Sequence, residues 1–246
     1  MKLLFLSDLH ANYPALEAVW RAESDSDCIL CAGDIVDWGF YPKEVIDWCR
    51  EHHVICVAGN HDRALCRTYR NLEKGIPPEP GTFQEHNLRY LNEEDIRWLE
   101  GLPDTYLYQS ESISVYLKHF YGRDEENRKT IFQRWIKDEA LMAFEEAWPD
   151  SEQAETRVIF TGHSHQCWMY QVAGNTWFLN PGSISYRVNT DSRSKGAYYA
   201  VWENGAFSLR YADYDHSVFI PLLEQSGFTE QVKTAAYYHL VKRLPG

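Results

Sequence analysis

Residues 1–10 read Met1-Lys2-Leu3-Leu4-Phe5-Leu6-Ser7-Asp8-Leu9-His10. A short apolar run of this kind reads as a buried strand. It stops at a carboxylate and an imidazole two positions apart. The arrangement returns along the chain. Cys28–Ala32 runs into Gly33-Asp34, and Val54–Ala58 runs into Gly59-Asn60-His61-Asp62. Ser112–Lys118 runs into His119, and Arg157–Phe160 leads to Gly162-His163-Ser164-His165. Each of these predicted strands ends at a polar cluster. In α/β sheets, ligand sites gather beyond the carboxyl ends of strands. The clusters therefore converge on one place.

The segments between the strands fix the fold class. Pro14–Glu23 and Pro42–Glu51 read as helices, each with a proline near its first turn. Strand and helix alternate with short connections, which predicts βαβ units and a parallel sheet. Residues 63–106 break the rhythm. They are polar and largely helical, and Ile76-Pro77-Pro78-Glu79-Pro80-Gly81 interrupts them. They are expected to form a helical cap insertion over one end of the sheet. A helix is expected over 125–148, ended by Pro149. Further strands are expected at Trp168–Val172, Thr176–Leu179, Ala197–Trp202 and Ala206–Tyr211, with hairpin turns at Gly174-Asn175 and Asn204-Gly205. The tail from about residue 217 reads as helical. No linker divides the chain, so residues 1–246 are expected to form a single domain.

The clusters have the chemistry of metal ligands. In an extended chain, residues i and i+2 point to the same side, which pairs Asp8 with His10 and His163 with His165. Imidazole together with carboxylate suits divalent manganese, iron or zinc. No cysteine belongs to the set, which argues against a structural thiolate zinc site. Gly33, Gly59 and Gly162 precede ligand clusters and are expected to let the chain turn sharply. Any one cluster has an ordinary structural explanation. Their ordered recurrence after successive strands does not.

The ordered pattern Asp-x-His, Gly-Asp, Gly-Asn-His-Asp, His, Gly-His-x-His resembles the calcineurin-like metallophosphoesterases, and within them the compact bacterial and archaeal phosphodiesterases. Ala11-Asn12-Tyr13-Pro14 and Asn180-Pro181-Gly182-Ser183 extend the resemblance over most of residues 1–213. It implies a four-layer αββα sandwich of two mixed β-sheets flanked by helices. It implies that Asp8, His10 and His165 hold one divalent metal ion, that Asn60, His119 and His163 hold a second, and that Asp34 bridges them. Mn2+ is the metal expected first, with Fe, Zn, Ni or Mg as others the site would accept. The implied reaction is phosphoester hydrolysis, of a diester first, by a hydroxide between the metals. His61 is the implied general acid, and Asp62 is expected to orient it. A phosphomonoesterase, a dinucleoside polyphosphate hydrolase, or a catalytically weak binding scaffold of the same fold are the alternatives. Arg187, Arg193 and His86 are candidates for substrate contact. Trp38, Phe40 and Tyr41, close after Asp34, are candidates for the pocket mouth. The pattern departs from the family at Phe120-Tyr121, where a glycine is common after the histidine.

Composition narrows the partners. The 246 residues are 44% apolar and 24% charged, as in an ordinary globular protein. A formal net charge of -12 disfavours a broad nucleic-acid surface. Bound cations would reverse the sign locally and admit a small phosphoester. No apolar run is long enough for a membrane span, so no membrane association is expected. Cys28 and Cys31 have redox-motif spacing but sit in a predicted strand, where residues three apart face opposite sides. All six cysteines therefore read as free thiols, which points to the cytoplasm.

Overall fold

The computed structural model describes residues 1–120, 155–186 and 196–241. The expected 125–148 helix, Arg187 and Arg193 lie outside the described residues. The first half runs β1 (Lys2–Leu6), α1 (Tyr13–Glu23), β2 (Cys28–Cys31), α2 (Pro42–Glu51) and β3 (Ile55–Cys56). Three helices follow, α3 (Asn60–Glu73), α4 (Phe83–Leu88) and α5 (Glu93–Glu100). The second half holds β4 (Thr105–Gln109), β5 (Ile113–Lys118), β6 (Thr156–Phe160), β7 (Cys167–Ala173), β8 (Thr176–Pro181), β9 (Ala197–Glu203) and β10 (Ala206–Ala212). Helical turns at Phe219–Gln225 and Glu230–Ala236 close the described chain, and a π-helical turn, Tyr237–Val241, follows them.

The strands make two mixed five-stranded sheets flanked by helices, ordered β10-β9-β1-β2-β3 and β4-β5-β6-β8-β7. Each sheet has a parallel block, β1-β2-β3 at one end of the first and β5-β6-β8 within the second, with antiparallel β9 and β10 beyond β1, β4 beside β5 and β7 beside β8. The side-chain period of two sorts β1 between two cores. Leu3 and Phe5 point between the sheets, where Phe5 meets Phe160 edge-on at 5.2 Å. Leu4 and Leu6 point to the helices, with Leu16, Val19, Val45 and Ile46. A strand buried on both faces reads as a continuous apolar run, which is why β1 is so plain in the sequence.

Three boundaries differ from expectation. Strand β3 shrinks to Ile55–Cys56, because the Ala58 amide turns to the Pro103 carbonyl (2.8 Å) instead of the sheet. Helix α3 begins at Asn60 rather than at residue 63, started by Asp62, whose side chain accepts from the Gly59 amide (2.8 Å). The end of the region expected to be helical is strand β4, which pairs antiparallel with β5. Cys28, Cys31, Cys49, Cys56 and Cys66 are free thiols, with Cys31 buried and Cys28 partly so. Among the described residues, no helix is long and apolar enough to cross a membrane.

The sheets meet at the carboxyl ends of their parallel strands. The loop after β8 crosses to the loop after β1, through Ile184 N to Ser7 O (3.1 Å) and Ser185 N to Asp8 O (3.3 Å). The polar clusters lie at this seam.

Candidate metal centre

Two groups of side chains face each other there. Asp8, His10 and His165 form one, and Asp34, His119 and His163 the other, with the donor atoms of each group within 4.8 Å of one another. Asp34 Oδ2 lies between them, 3.8 Å from His10 Nε2 and 3.2 Å from His119 Nε2. Asn60 Oδ1 joins the second group at 3.1 Å from His119 Nε2 and 2.7 Å from His163 Nδ1. His10 and His165 approach Nε2 to Nε2 at 3.2 Å. The floor is buried, with Asp8, His10, Asp34, His119 and His165 at most 4% exposed. Asn60 is exposed and His163 partly so, which opens the second group to solvent.

The backbone brings these residues together by a different route from the one the spacing implied. Ten described non-glycine residues have positive φ, and eight of them are here: Asp8, His10, Ala11, Asp34, Asp37, Trp38, His163 and His165. The paired donors therefore converge through left-handed turns and not through extended chain. Such strain concentrates where surrounding structure holds it for function. Here Asp8 N bonds Gly33 O and His10 N bonds Asp34 O, both at 2.9 Å. The glycines divide similarly. Gly33 takes φ +91, a turn that glycine permits. Gly59 is needed for space, since a Cβ there would overlap the carboxylate and amide of Asp34. Gly59→Ala is accordingly expected to lower metal content with only modest loss of thermal stability, measured by elemental analysis beside a melting curve.

Hydrogen bonds fix the candidate donor atoms. His119 Nδ1 donates to Ala32 O (2.6 Å) and His165 Nδ1 to Tyr186 O (2.9 Å), which leaves each Nε2 facing the centre. Ser7 Oγ donates to Asp8 (2.6 Å), and the His163 amide lies 3.1 Å from both Asp8 oxygens.

The charges of the site suit bound cations. Burial pushes His10 down to about 3 and His163 to about 4, so both are neutral. Burial works against the charge of His119 too, but the carboxylate of Asp34 outweighs it and carries the group up to about 10. Burial would raise Asp34, yet His119, His10 and His61 hold it below the usual carboxylate range. This donor set, two carboxylates held in the charged form with imidazole nitrogens turned inward, fits divalent metal ions. At pH 8 a metal at His119 Nε2 must displace a proton. Loading is therefore expected to release about one proton from this residue, and metal affinity to rise with pH. A pH-stat titration measures it.

His61 sits beside the groups, its ring 5.0 Å from that of His10. Its amide donates to Asp34 Oδ1 (2.8 Å), and its Nδ1 pairs with Asp37 Oδ2 at 2.8 Å. Burial opposes its charge, but the Asp37 hydrogen bond and the fields of Asp34 and Asp37 raise it to about 9. Asp62 does not orient His61, contrary to expectation. Its carboxylate accepts from the amides of Asp34 (3.0 Å), Ile35 (2.8 Å), Val36 (3.1 Å) and Gly59 (2.8 Å), and so ties the Asp34 loop to the start of α3. Position N3 of a helix aims a carboxylate back at its own first turn, away from the neighbouring side chain.

Asp37 is the residue that sequence reasoning missed, although a second carboxylate on the loop after β2 was a visible signal. Helix α4 holds it through the Asn87 side chain, which accepts from the Asp37 amide (2.9 Å). His86, a candidate for substrate contact, instead pairs with Phe40 O (3.2 Å) and packs on Phe40, Tyr90 and Phe228. Phe40 is buried in the core, while Trp38 is partly exposed. Tyr186, also unforeseen, lies 4.4 Å from the His165 ring and 5.3 Å from that of His10.

Comparison with known proteins places this geometry. A metallophosphoesterase from Sphaerobacter thermophilus has a similar structure, with TM-score 0.67, 23% identity, and coverage of 96% of this chain and 98% of that one. The hypothetical protein PH1004 from Pyrococcus horikoshii OT3 is similar with TM-score 0.73, 15% identity and 99% coverage of both chains. The uncharacterized protein MJ0912 of Methanocaldococcus jannaschii is 22% identical over 244 residues, 87% of either chain. Residues 1–203 match the calcineurin-like phosphoesterase superfamily domain, and with its two Asp/His groups at the seam of two mixed sheets the chain belongs to that superfamily of metal-dependent phosphoesterases.

Proposed function

We propose that the protein hydrolyses phosphodiesters at a centre of two divalent metal ions. Asp8, His10 and His165 would hold one ion, and Asn60, His119 and His163 the other. The observation that carries the reading is Asp34 Oδ2, placed between the two groups at 3.8 and 3.2 Å from their histidines. The ions would supply charge for the phosphoryl oxygens and activation of water. The chain's own residues do the rest. His61 protonates the leaving oxygen, a task suited to a group still charged at neutral pH. Asp37 holds the His61 ring through Nδ1, which turns Nε2 toward the substrate. The left-handed turns and Asp62 keep the Asp34 loop in place. The net charge of -12 would repel phosphate elsewhere on the surface and leave the cation site as its place of entry.

The test is turnover of bis-p-nitrophenyl phosphate by protein loaded in turn with Mn2+, Fe2+, Zn2+, Ni2+ and Mg2+, with Mn2+ expected to serve best. Matched monoester and dinucleoside polyphosphate substrates separate the diesterase from its nearest alternatives. No turnover of any ester with any metal would leave the binding-scaffold reading.

A further inference from the structure

The residues that line the centre do not all come from the part of the chain shared across the superfamily. The superfamily match ends at residue 203. Beyond it, the π-helical turn Tyr237–Val241 carries His239 back to the centre. The His239 ring lies 4.4 Å from that of Tyr186, tilted by 38°, and meets Trp38 at 5.7 Å and 90°. Trp38 and Tyr186 are 6.3 Å apart. Three rings, from two loops and the π-helical turn, thus form one wall, and its inner end, Tyr186, packs on the rings of His10 and His165. All three are partly exposed.

Two details set this wall apart from ordinary core packing. A π-helical turn is rare, and such turns concentrate at functional sites. This one buries Leu240 and holds its carbonyl on His216 Nδ1 (2.8 Å), while His239 beside it turns its ring to Tyr186 and Trp38. Among the described residues, the contacts that hold the His239 ring are those to the Tyr186 and Trp38 rings. Trp38 in turn sits at φ +57, a strained position for a bulky residue, directly after the Asp37 that holds His61.

The wall also has a side. His61 and Tyr186 both flank the His10 ring, at 5.0 and 5.3 Å, and Trp38 follows Asp37, the partner of His61, so the wall lies on the His10 side of the centre, as does the group that protonates the leaving oxygen. We propose that Trp38, Tyr186 and His239 recognise a flat aromatic group, a nucleobase, on the alcohol that leaves the phosphorus. The proposal rests on the phosphodiesterase reading above and names its substrate class. In the reaction, the bond from phosphorus to the nucleoside oxygen breaks and a bond from water oxygen to phosphorus forms. The nucleoside oxygen takes the proton of His61, which a water proton later replaces.

The experiment compares two methyl phosphodiesters that share a leaving oxygen, that of adenosine 5′-phosphate and that of the same ribose phosphate without its base. The wild-type protein should prefer the first by about tenfold or more in kcat/KM, as stacking on aromatic side chains provides. His239→Ala and Trp38→Ala should bring the ratio toward one, His239→Phe should restore it, and Tyr237→Ala, on an exposed neighbour, should leave it unchanged. A wild-type ratio of one overturns the proposal. So does a His239→Ala variant that slows both substrates equally, since the tail would then only support the fold. If neither ester is turned over, the phosphodiesterase reading fails, and calorimetry with metal-loaded protein judges the wall separately. Tighter binding of adenosine 5′-monophosphate than of ribose 5-phosphate, lost in His239→Ala, supports it, and equal binding overturns it.

Discussion

Asp34→Asn is expected to leave the protein folded while metal content falls from the proposed two ions per chain to one or none. Asparagine keeps the shape of the side chain and an acceptor for the His61 amide, now 2.8 Å from Oδ1. What it removes is the charge on the only described carboxylate that faces both groups, 3.8 Å from His10 and 3.2 Å from His119. Metal affinity and kcat/KM should both drop by more than about 100-fold, beyond the loss typical of a residue that merely supports a ligand. The proton balance gives a second readout. His119 stands at about 10 because the Asp34 field outweighs its burial. Without that carboxylate its pKa falls, and the proton released on loading at pH 8 disappears. Elemental analysis, kinetics and a pH-stat titration on one preparation test all three. Two bound ions with near wild-type turnover would mean that Asp34 does not bridge.

The fold and the candidate site were legible in the sequence to different depths. The parallel strands announced themselves because each is buried on both faces, and an apolar run that ends in an acid or a histidine has few readings. Strand β4 did not, because its residues are mostly exposed or half-buried and no apolar pattern marks them. The identities at the centre were readable as an ordered set of donors, but the reasons they converge were not. The i, i+2 spacing suggested extended chain, whereas Asp8, His10, His163 and His165 all have positive φ. Gly59 and Gly162 looked like turning points, and in fact they clear space for Asp34, and for Ser7 and Asp8. Neighbours in sequence also misled. Asp62 follows His61 directly, yet it bonds four amides, while Asp37 pairs with His61 across 24 positions. His239 is 53 positions from Tyr186, and no local pattern connects them. Hydrogen bonds to backbone and ring stacking between distant loops leave no periodic trace, which is why this layer of the site required coordinates.

The Asp37–His61 pair yields the second large effect, and it separates proton transfer from metal binding. His61→Ala should cut kcat for an alkyl phosphodiester by about 100- to 10,000-fold, the range for a lost general acid. Metal content should not change, because the His61 side chain turns to Asp37 and not into either donor group. The loss should nearly vanish with p-nitrophenyl esters, since p-nitrophenolate departs without a proton. Asp37→Asn acts on the same proton more gently. The Asp37 hydrogen bond and charge help to raise His61 to about 9 against its burial. Without the carboxylate the pKa falls. A general acid must carry its proton to work, so activity is retained below that pKa and lost above it. The alkaline limb of the kcat profile therefore moves to lower pH in Asp37→Asn. Asp62→Asn should leave that limb in place and instead weaken metal binding, because it loosens the Asp34 loop from α3. If Asp62→Asn moved the limb and Asp37→Asn did not, the proton would have to reach the leaving group by a route other than the 2.8 Å pair between Asp37 and His61.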